Sequence, residues 1–317
     1  MKTLVTGGAG FIGSNLVKTL LAKGDEVTVI DNLSSGYKKN LPNLSEINFI
    51  EGDIRDCSLL EKNMSGIEII YHLAASVGNK RSIDHPFLDA DINVNGTLYL
   101  LEAARKFNVN KIVTTSSAGI FGELKTLPIQ ENHPIEPRTP YGCSKLYAEK
   151  ITLSYAELYD IEAVCLRYFN VYGPHQYYDA YGNVIPIFVF KMLNAENIQI
   201  FGDGEQTRDF VNVSDVVQAN IKAATTSGIS GAYNIASGTK ISINTLVQKL
   251  KEVSGLNPFI EYKAMRPGDV RDSLADISAA KNAFAYSPKV DLTDGLKEYF
   301  RWAEREFVNR PKNVASQ

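Results

Sequence analysis

Residues 2–22 constrain this chain more than any other stretch. Lys2-Thr3-Leu4-Val5-Thr6 is short, apolar and β-branched, which suits a strand buried in a parallel sheet. Gly7-Gly8-Ala9-Gly10-Phe11-Ile12-Gly13 follows at once, and Leu16, Val17, Leu20 and Leu21 then recur at helical spacing. Gly8, Gly10 and Gly13 satisfy G-x-G-x-x-G, while Gly7, Gly10 and Gly13 are evenly spaced by three. Glycines at such a junction let the backbone turn sharply and approach a pyrophosphate, whose charge rests on the helix N-terminus. A tight strand-to-helix turn without a ligand has the same pattern. The context argues for the ligand. A second apolar strand, 26–30, ends at Asp31, about 20 residues past the glycines, where an acid holds the adenosine ribose hydroxyls. A carboxylate there repels a 2′-phosphate and favours NAD over NADP. The nearby Lys38 and Lys39 argue the other way.

Length and composition set the outer limits. The 317 residues can form one large or two modest domains, and 44% hydrophobic content can fill a core. The net charge of −3, without a basic block, argues against a nucleic-acid partner. Cys57, Cys143 and Cys165 are scattered and odd in number, as reduced thiols of a cytosolic protein are. The first strand begins at residue 2, so no signal peptide is expected and the expected location is the cytoplasm. The apolar run 184–193 is interrupted by Pro186 and Lys191, so no membrane span is expected. His72, His85, His133 and His175 show no paired spacing, and no metal site is expected.

Further strands are expected at 47–50, 67–73, 111–115 and 162–168, alternating with helices at 91–106 and 141–159. This β-α alternation predicts an α/β fold with a doubly wound parallel sheet. Asp53 follows the third strand, where it could reach an adenine or cap the helix beginning near Cys57. Ala74 and Ala75 follow the fourth, and small side chains there permit close cofactor approach or merely close packing. Pro134, Pro137 and Pro140 mark an irregular excursion over the strand ends. The rhythm changes near Asn170. Short strands at 198–201, 233–236 and 259–262 mix with helices at 214–224, 244–254 and 293–306. The expected division is a nucleotide-binding domain, 1–170, and a smaller mixed α/β substrate domain, 171–317.

Tyr141 and Lys145 stand four apart at a helix start, so both share one face. Of sixteen tyrosines, only Tyr141 has a lysine at that spacing. An ammonium beside a phenol stabilises the phenolate. Lowering a phenol from about 10 by about three units takes about 4 kcal/mol of differential stabilisation. Lysine together with an oxidised nicotinamide could supply it. Ser117 closes the fifth strand and can pass a proton; alone it would read as a cap or turn residue. Together the three describe alcohol oxidation, a base removing the proton while hydride leaves for a nicotinamide.

At this point the chain resembles the extended short-chain dehydrogenase/reductases, and among them the UDP-glucose and UDP-N-acetylglucosamine 4-epimerases, over residues 1–305. The carriers are residues 6–13, Asp31-Asn32, Asn93-Val94-Asn95-Gly96-Thr97, Thr115-Ser116-Ser117 and Tyr141-Gly142-Cys143-Ser144-Lys145, with residues 166–174, Arg208-Asp209-Phe210 and Arg266-Pro267-Gly268-Asp269. The resemblance implies an NAD-dependent epimerase acting on a UDP-sugar. It implies Tyr141 as base, Lys145 as the holder of the nicotinamide ribose, and Ser117 as proton shuttle. It implies Gly7, Gly10, Phe11, Ile12, Gly13, Asp31 and Asn32 around the cofactor. Asp53 and Ile54 would meet its adenine, and Leu73, Ala74, Ala75, Asn93 and Tyr168 would line it. Ser117, Asn170, Asn183, Val184, Gln199, Phe201, Arg208, Arg266, Asp269 and Ser273 would meet the substrate. Guanidinium suits diphosphate oxygens, although an arginine outside this context reads as a surface ion pair. Phe201 could lie beside uracil or in the core.

Two positions depart from the commonest epimerase pattern: Val77 stands where many carry lysine, and Phe121 where many carry tyrosine. The related 4,6-dehydratases carry an Asp-Glu pair after the strand-5 hydroxyl, and the decarboxylases keep its glutamate. Here those positions are Ala118 and Gly119, leaving elimination without an obvious proton donor. A hexuronic-acid 4-epimerase is a further reading. Ser273 lies where small-sugar epimerases resemble one another in carrying tyrosine, so room for a 2-acetamido group is expected. Helices 91–106 and 141–159 resemble the family's dimer helices. Leu98, Tyr99, Leu146 and Ile151 could therefore meet a second copy, or be satisfied within one chain.

Overall fold

Leu4 and Val5, adjacent on the first strand, are both fully buried, yet they belong to different hydrophobic clusters on opposite faces of the sheet. Successive side chains on a strand point to opposite faces, so a strand buried on both sides must sit between two helical layers. The computed structural model describes residues 1–179, 182–265 and 270–308. In chain order the first half runs β1 (Lys2–Thr6), α1 (Phe11–Ala22), β2 (Glu26–Asp31), β3 (Asn48–Glu51), α2 (Cys57–Lys62), β4 (Ile69–His72), α3 (Asn79–Asp84), α4 (Pro86–Ala90), α5 (Gly96–Lys106), β5 (Lys111–Ser117), α6 (Pro140–Tyr159) and β6 (Glu162–Tyr168). The second half runs β7 (Asn170–Tyr172), α7 (Val184–Leu193), β8 (Ile198–Phe201), β9 (Thr207–Arg208), β10 (Phe210–Asn212), α8 (Val213–Thr225), β11 (Gly231–Ile235), β12 (Ile241–Ser242), α9 (Ile243–Ser254), β13 (Ile260–Lys263), α10 (Ser278–Phe284) and α11 (Leu292–Val308).

Seven strands form one sheet in the order β11-β6-β5-β4-β1-β2-β3, every neighbouring pair parallel. Leu16, Val17 and Leu20 of α1 and Val216 and Val217 of α8 cover one face. Leu60, Leu100, Leu101 and Tyr155 cover the other. The strand order reverses between β1 and β4, and ligands of such sheets bind in the crevice beyond the carboxyl ends at that point. This is the doubly wound fold that the alternation predicts.

Strand β11 shows where periodicity runs out. From its position in the chain it belongs with the smaller substrate domain, but it pairs with β6 as an edge of the main sheet. Helix α8 likewise returns to pack on α1. What lies apart is a cluster built by α7, β8, α9 and α11, with Phe188, Leu246, Leu296 and Trp302 buried in it. The apolar run 184–193 is α7; Pro186 is tolerated because it falls in the helix's first turn. Among the described residues no helix is long and apolar enough to cross a membrane.

The helix expected at 91–106 starts earlier and is not uniform. α4 begins with Pro86 at its first turn, and one π turn, Asp91–Asn95, joins it to α5. Such single π turns rotate the side chains that follow them and recur at functional sites. α6 is capped by Thr139, whose hydroxyl accepts from Gly142 N at 3.2 Å, and Pro140 stands at its start. That cap fixes where Tyr141 enters the helix.

Candidate active site

The carboxyl ends of the central strands open into one cleft of about 1960 Å³. That is roughly twice the upper end of single small-molecule pockets, about 1,000 Å³. Gly7, Gly10, Phe11, Ile12 and Gly13 line it, and Gly8 does not. The evenly spaced trio is therefore the one that faces the cleft. Gly7 takes φ +72°, and a Cβ there would lie 2.7 Å from Ala74 N; at Gly13 one would lie 2.1 Å from Gly7 O. Neither site accepts a side chain, so loop, helix and the end of β4 close together. No side chain caps α1 at Gly10, which leaves first-turn N–H groups available to an anion.

Asp31 and Asn32 also line the cleft. Asp31 accepts from Ala9 N at 2.9 Å and Leu33 N at 2.8 Å, and burial pushes its carboxyl up. The two lysines that argue for a 2′-phosphate are engaged elsewhere: Lys38 with Glu51 at 2.7 Å, Lys39 with Glu306 at 2.5 Å. Asp53 and Ile54 line the cleft. The helix cap near Cys57 is Asp56, not Asp53, since Asp56 Oδ1 accepts from Leu59 N at 3.0 Å. Asp53 accepts instead from Asn32 Nδ2 at 2.8 Å and is held well below the usual carboxylate range by the Arg55 guanidinium. Leu73, Ala74, Ala75 and Tyr168 complete this wall.

Asn93 lies elsewhere than expected. It is 2% exposed and stands behind the wall. Its Oδ1 accepts from Ser76 N at 2.8 Å, and its Nδ2 donates to Ser76 O at 3.0 Å and Ser144 Oγ at 3.0 Å. It clips the loop after β4 to α6, so its relation to the cofactor runs through the backbone it holds.

Ser117 and Tyr141 face the cleft together, and the serine hydroxyl opposes the upward push on the phenol. Gly119 N donates to Ser117 Oγ at 3.1 Å, so the hydroxyl's own proton is not used by that bond. Lys145 is buried behind them and donates to Thr115 Oγ1 at 3.1 Å. The expected direct effect of the ammonium on the phenol is not what governs the pair here. Burial pushes Tyr141 up, and the Asp89 carboxylate pushes the same way, with only Ser117 opposing. Burial also holds Lys145 down, to about 8. The phenol is therefore at rest neutral, and Thr115, whose polar side chain on β5 gave no signal beyond strand propensity, aims the lysine.

On the opposite side Asn170, Asn183, Arg208 and Ser273 line the cleft, with Gln176, Ile187 and residues 270–272, which the sequence did not single out. Asn170 Nδ2 and N both donate to Asp209 O, at 3.0 and 3.3 Å. Asp209, fully buried, accepts from Ser237, Gly238 and Ala275 N–H groups and so ties Arg208, Asn170 and the segment bearing Ser273 into one unit. Val184, Gln199 and Phe201 are not among the lining residues. Val184 opens α7 and packs on its cluster, and Gln199 Nε2 donates to Glu261 Oε2 at 3.1 Å across the β8–β13 pair. Both follow from a strand and helix start whose partners are remote in sequence. Arg266 and Asp269 lie outside the described residues.

Residues 3–236 match the NAD dependent epimerase/dehydratase family. UDP-glucose 4-epimerase of Mycolicibacterium smegmatis is 38% identical over 314 residues, covering 95% of this chain and 99% of its own. A solved UDP-glucose 4-epimerase from Thermotoga maritima, with UDP-glucose, superposes with TM-score 0.92 at 39% identity, over 96% of this chain and 99% of that one. UDP-N-acetylglucosamine 4-epimerase from Methanobrevibacter ruminantium, in complex with UDP-N-acetylmuramic acid, gives 0.91 at 37%, over 95% and 97%. A doubly wound parallel sheet with a glycine-lined cleft at its carboxyl ends defines a dinucleotide-binding protein. More particularly, this chain belongs to the NAD-dependent epimerase/dehydratase family. Its cofactor is NAD, and the uncapped α1, the side-chain-free glycine cradle and the buried Asp31 fit that group.

Proposed function

We propose that this enzyme inverts C4 of a UDP-sugar, interconverting UDP-glucose with UDP-galactose and their N-acetylated counterparts. One observation supports epimerisation over dehydration. A Cβ at position 119 would stand 3.3 Å from Ser117 Oγ and 3.8 Å from the Tyr141 ring. An acid for expelling water would enter there, and the residue is glycine, preceded by Ala118. Glu123 lines the cleft nearby but is paired with Arg138.

Bound NAD supplies a reversible hydride acceptor. The chain's own part is proton transfer and grip. Tyr141, directly or through Ser117, takes the proton of the sugar 4-hydroxyl. Lys145 keeps positive charge behind the phenol and, with donors beyond its bond to Thr115, holds the nicotinamide ribose. Arg208, Asn170 and Asn183 hold the nucleotide diphosphate, with Arg266 and Asp269 as further contacts. The 4-keto sugar turns while the nucleotide stays held, and Tyr141 returns its proton to the product hydroxyl. Ser273 leaves space for a 2-acetamido group. A homodimer through α5 and α6 is supported by the exposure of Tyr99, while Leu98, Leu146 and Ile151 pack on clusters within the chain.

Purified protein incubated with UDP-glucose or UDP-N-acetylglucosamine should give the C4 epimer with no net rise in absorbance at the NADH band. Stoichiometric NADH, or loss of water from the sugar, would overturn the reading. A UDP-sugar panel that includes hexuronic acids fixes the preferred substrate.

A further inference from the structure

Asp89 is a carboxyl that the proton-transfer scheme above does not use. It closes α4 beside α6, is 1% exposed, and its Oδ2 has no hydrogen-bond partner. Its Oδ1 accepts from Asn93 Nδ2 at 3.2 Å. The same amide nitrogen reaches Ser144 Oγ, and Ser144 gives its proton to Tyr141 O at 3.1 Å. Ser144 is the residue before Lys145. The π turn at Asp91–Asn95 sets Asn93 at the junction, which brings the α4 carboxyl to the rear of the catalytic helix.

A buried ammonium needs a counter-charge. The titratable groups that face Lys145 come from four elements. From α6 itself come Glu149 and, one turn before Lys145, Tyr141; from α4, Asp89; from β6, Cys165; from β4, His72. Glu149 is taken by Arg167, which grips both of its oxygens at 2.7 and 2.9 Å. Burial pushes the Cys165 thiol up and holds the His72 ring down, so both are uncharged near neutrality. Tyr141 is neutral at rest. Among the described residues around Lys145, Asp89 is the one carboxylate not held by an arginine.

We infer that Asp89 is the anion that keeps Lys145 charged, and that with its direct action on the phenol it sets the pH range over which Tyr141 can exchange protons. It touches neither substrate nor cofactor and is a positioning residue whose charge acts on both Lys145 and Tyr141. The inference rests on Tyr141 and Lys145 being the reacting pair only for its kinetic consequence. The charge relation stands without it.

The sign follows from electrostatics. Removing an anion disfavours the ammonium of Lys145 and favours the phenolate of Tyr141, so both groups titrate at lower pH. In the full chain, with lysine carrying ¹³C at Cε, the Lys145 signal is assigned by its loss in K145R. Its midpoint should fall by about one pH unit or more in D89N, a tenfold change in proton affinity. An unchanged midpoint would overturn the inference. In the holoenzyme, both limbs of kcat/KM against pH should move to lower pH in D89N and return in D89E. A D89N profile that is only lower, with its limbs unmoved, would make Asp89 a structural prop and overturn it too. Should D89N fail to fold, the unaltered protein decides. Its Lys145 signal must show a second inflection on the acid side, where Asp89 takes a proton, and a single inflection would overturn the inference. Loss of the functional reading itself would appear separately, as turnover that survives Y141F.

Discussion

Arg167 grips Glu149 with two parallel hydrogen bonds, Nη2 to Oε1 at 2.7 Å and Nε to Oε2 at 2.9 Å, and the glutamate side chain is wholly buried. The pair joins β6 to α6. Glu149 Oε2 also accepts from Ser116 Oγ at 2.7 Å, one residue before Ser117. Arg167 Nη1 donates to Glu131 O at 2.8 Å, and its guanidinium lies 5.2 Å from the Phe121 ring centre. Ser117, α6 and the proline-rich excursion are thus registered by one ion pair.

Breaking that pair on one side should be costly. E149Q leaves a guanidinium buried without its charge partner, a loss of about 3–5 kcal/mol. Replacing both members by apolar residues of similar volume should cost much less than either single change. Urea unfolding of the two singles and the double would show it. Additive losses would mean that the two side chains are not coupled.

Acid should destabilise the protein through His72. The ring is buried, with Nδ1 2.8 Å from Thr6 Oγ1 and Nε2 3.0 Å from Thr97 Oγ1. Burial, and then the Lys145 ammonium, hold it down to about 3. Unfolded, it titrates near 6.5. Between those values the unfolded chain binds a proton that the folded chain refuses. Stability is thus full above about pH 6.5 and falls by about 1.4 kcal/mol per unit as pH drops toward 3. H72Q should be less stable at neutral pH yet flatter in urea midpoint between about pH 6 and 4.5. Parallel slopes for the two proteins would show that His72 is not the group responsible.

The strands and the glycine loop could be read from sequence because their signals are local. A strand buried on two faces is continuously apolar, and a loop that admits no Cβ must be glycine. The pairing of β11 with β6 could not be read, since five residues of strand look alike whichever sheet receives them. The same holds for Asn93. Helical spacing predicted its helix but not the π turn, and so not which way its amide would face. Tyr141 and Lys145 were found from a spacing of four. That spacing does not say that Lys145 turns toward Thr115, nor that burial governs the phenol more than the ammonium does. Charge balance in a buried site depends on every element packed around it.

The cofactor cradle should respond by position. At Gly13 a methyl would fall 2.1 Å from Gly7 O, while at Gly10 the nearest atom would be the same oxygen at 3.2 Å. The carbonyl cannot recede freely, because it accepts from Gly10 N at 3.2 Å. G13A should therefore cost about 1–3 kcal/mol of stability and most of the NAD affinity, and G10A much less of both. Thermal melts with and without NAD would separate the effects. Equal NAD affinity in G13A and the parent would show that the loop does not bear on the cofactor.

Sugar size should turn on Ser273. It is 8% exposed and lines the cleft, anchored through the segment whose Ala275 N donates to Asp209 at 3.2 Å. Because that segment is pinned, a larger side chain at 273 must project into the cleft rather than swing the backbone away. S273Y should therefore leave turnover of UDP-glucose within about threefold while lowering kcat/KM for UDP-N-acetylglucosamine roughly 10–200-fold, the range one steric contact commands. A ratio of the two kcat/KM values that does not change would place the 2-substituent elsewhere. A drop of equal size for both sugars would mean that the tyrosine damages the cleft as a whole rather than gating one substituent.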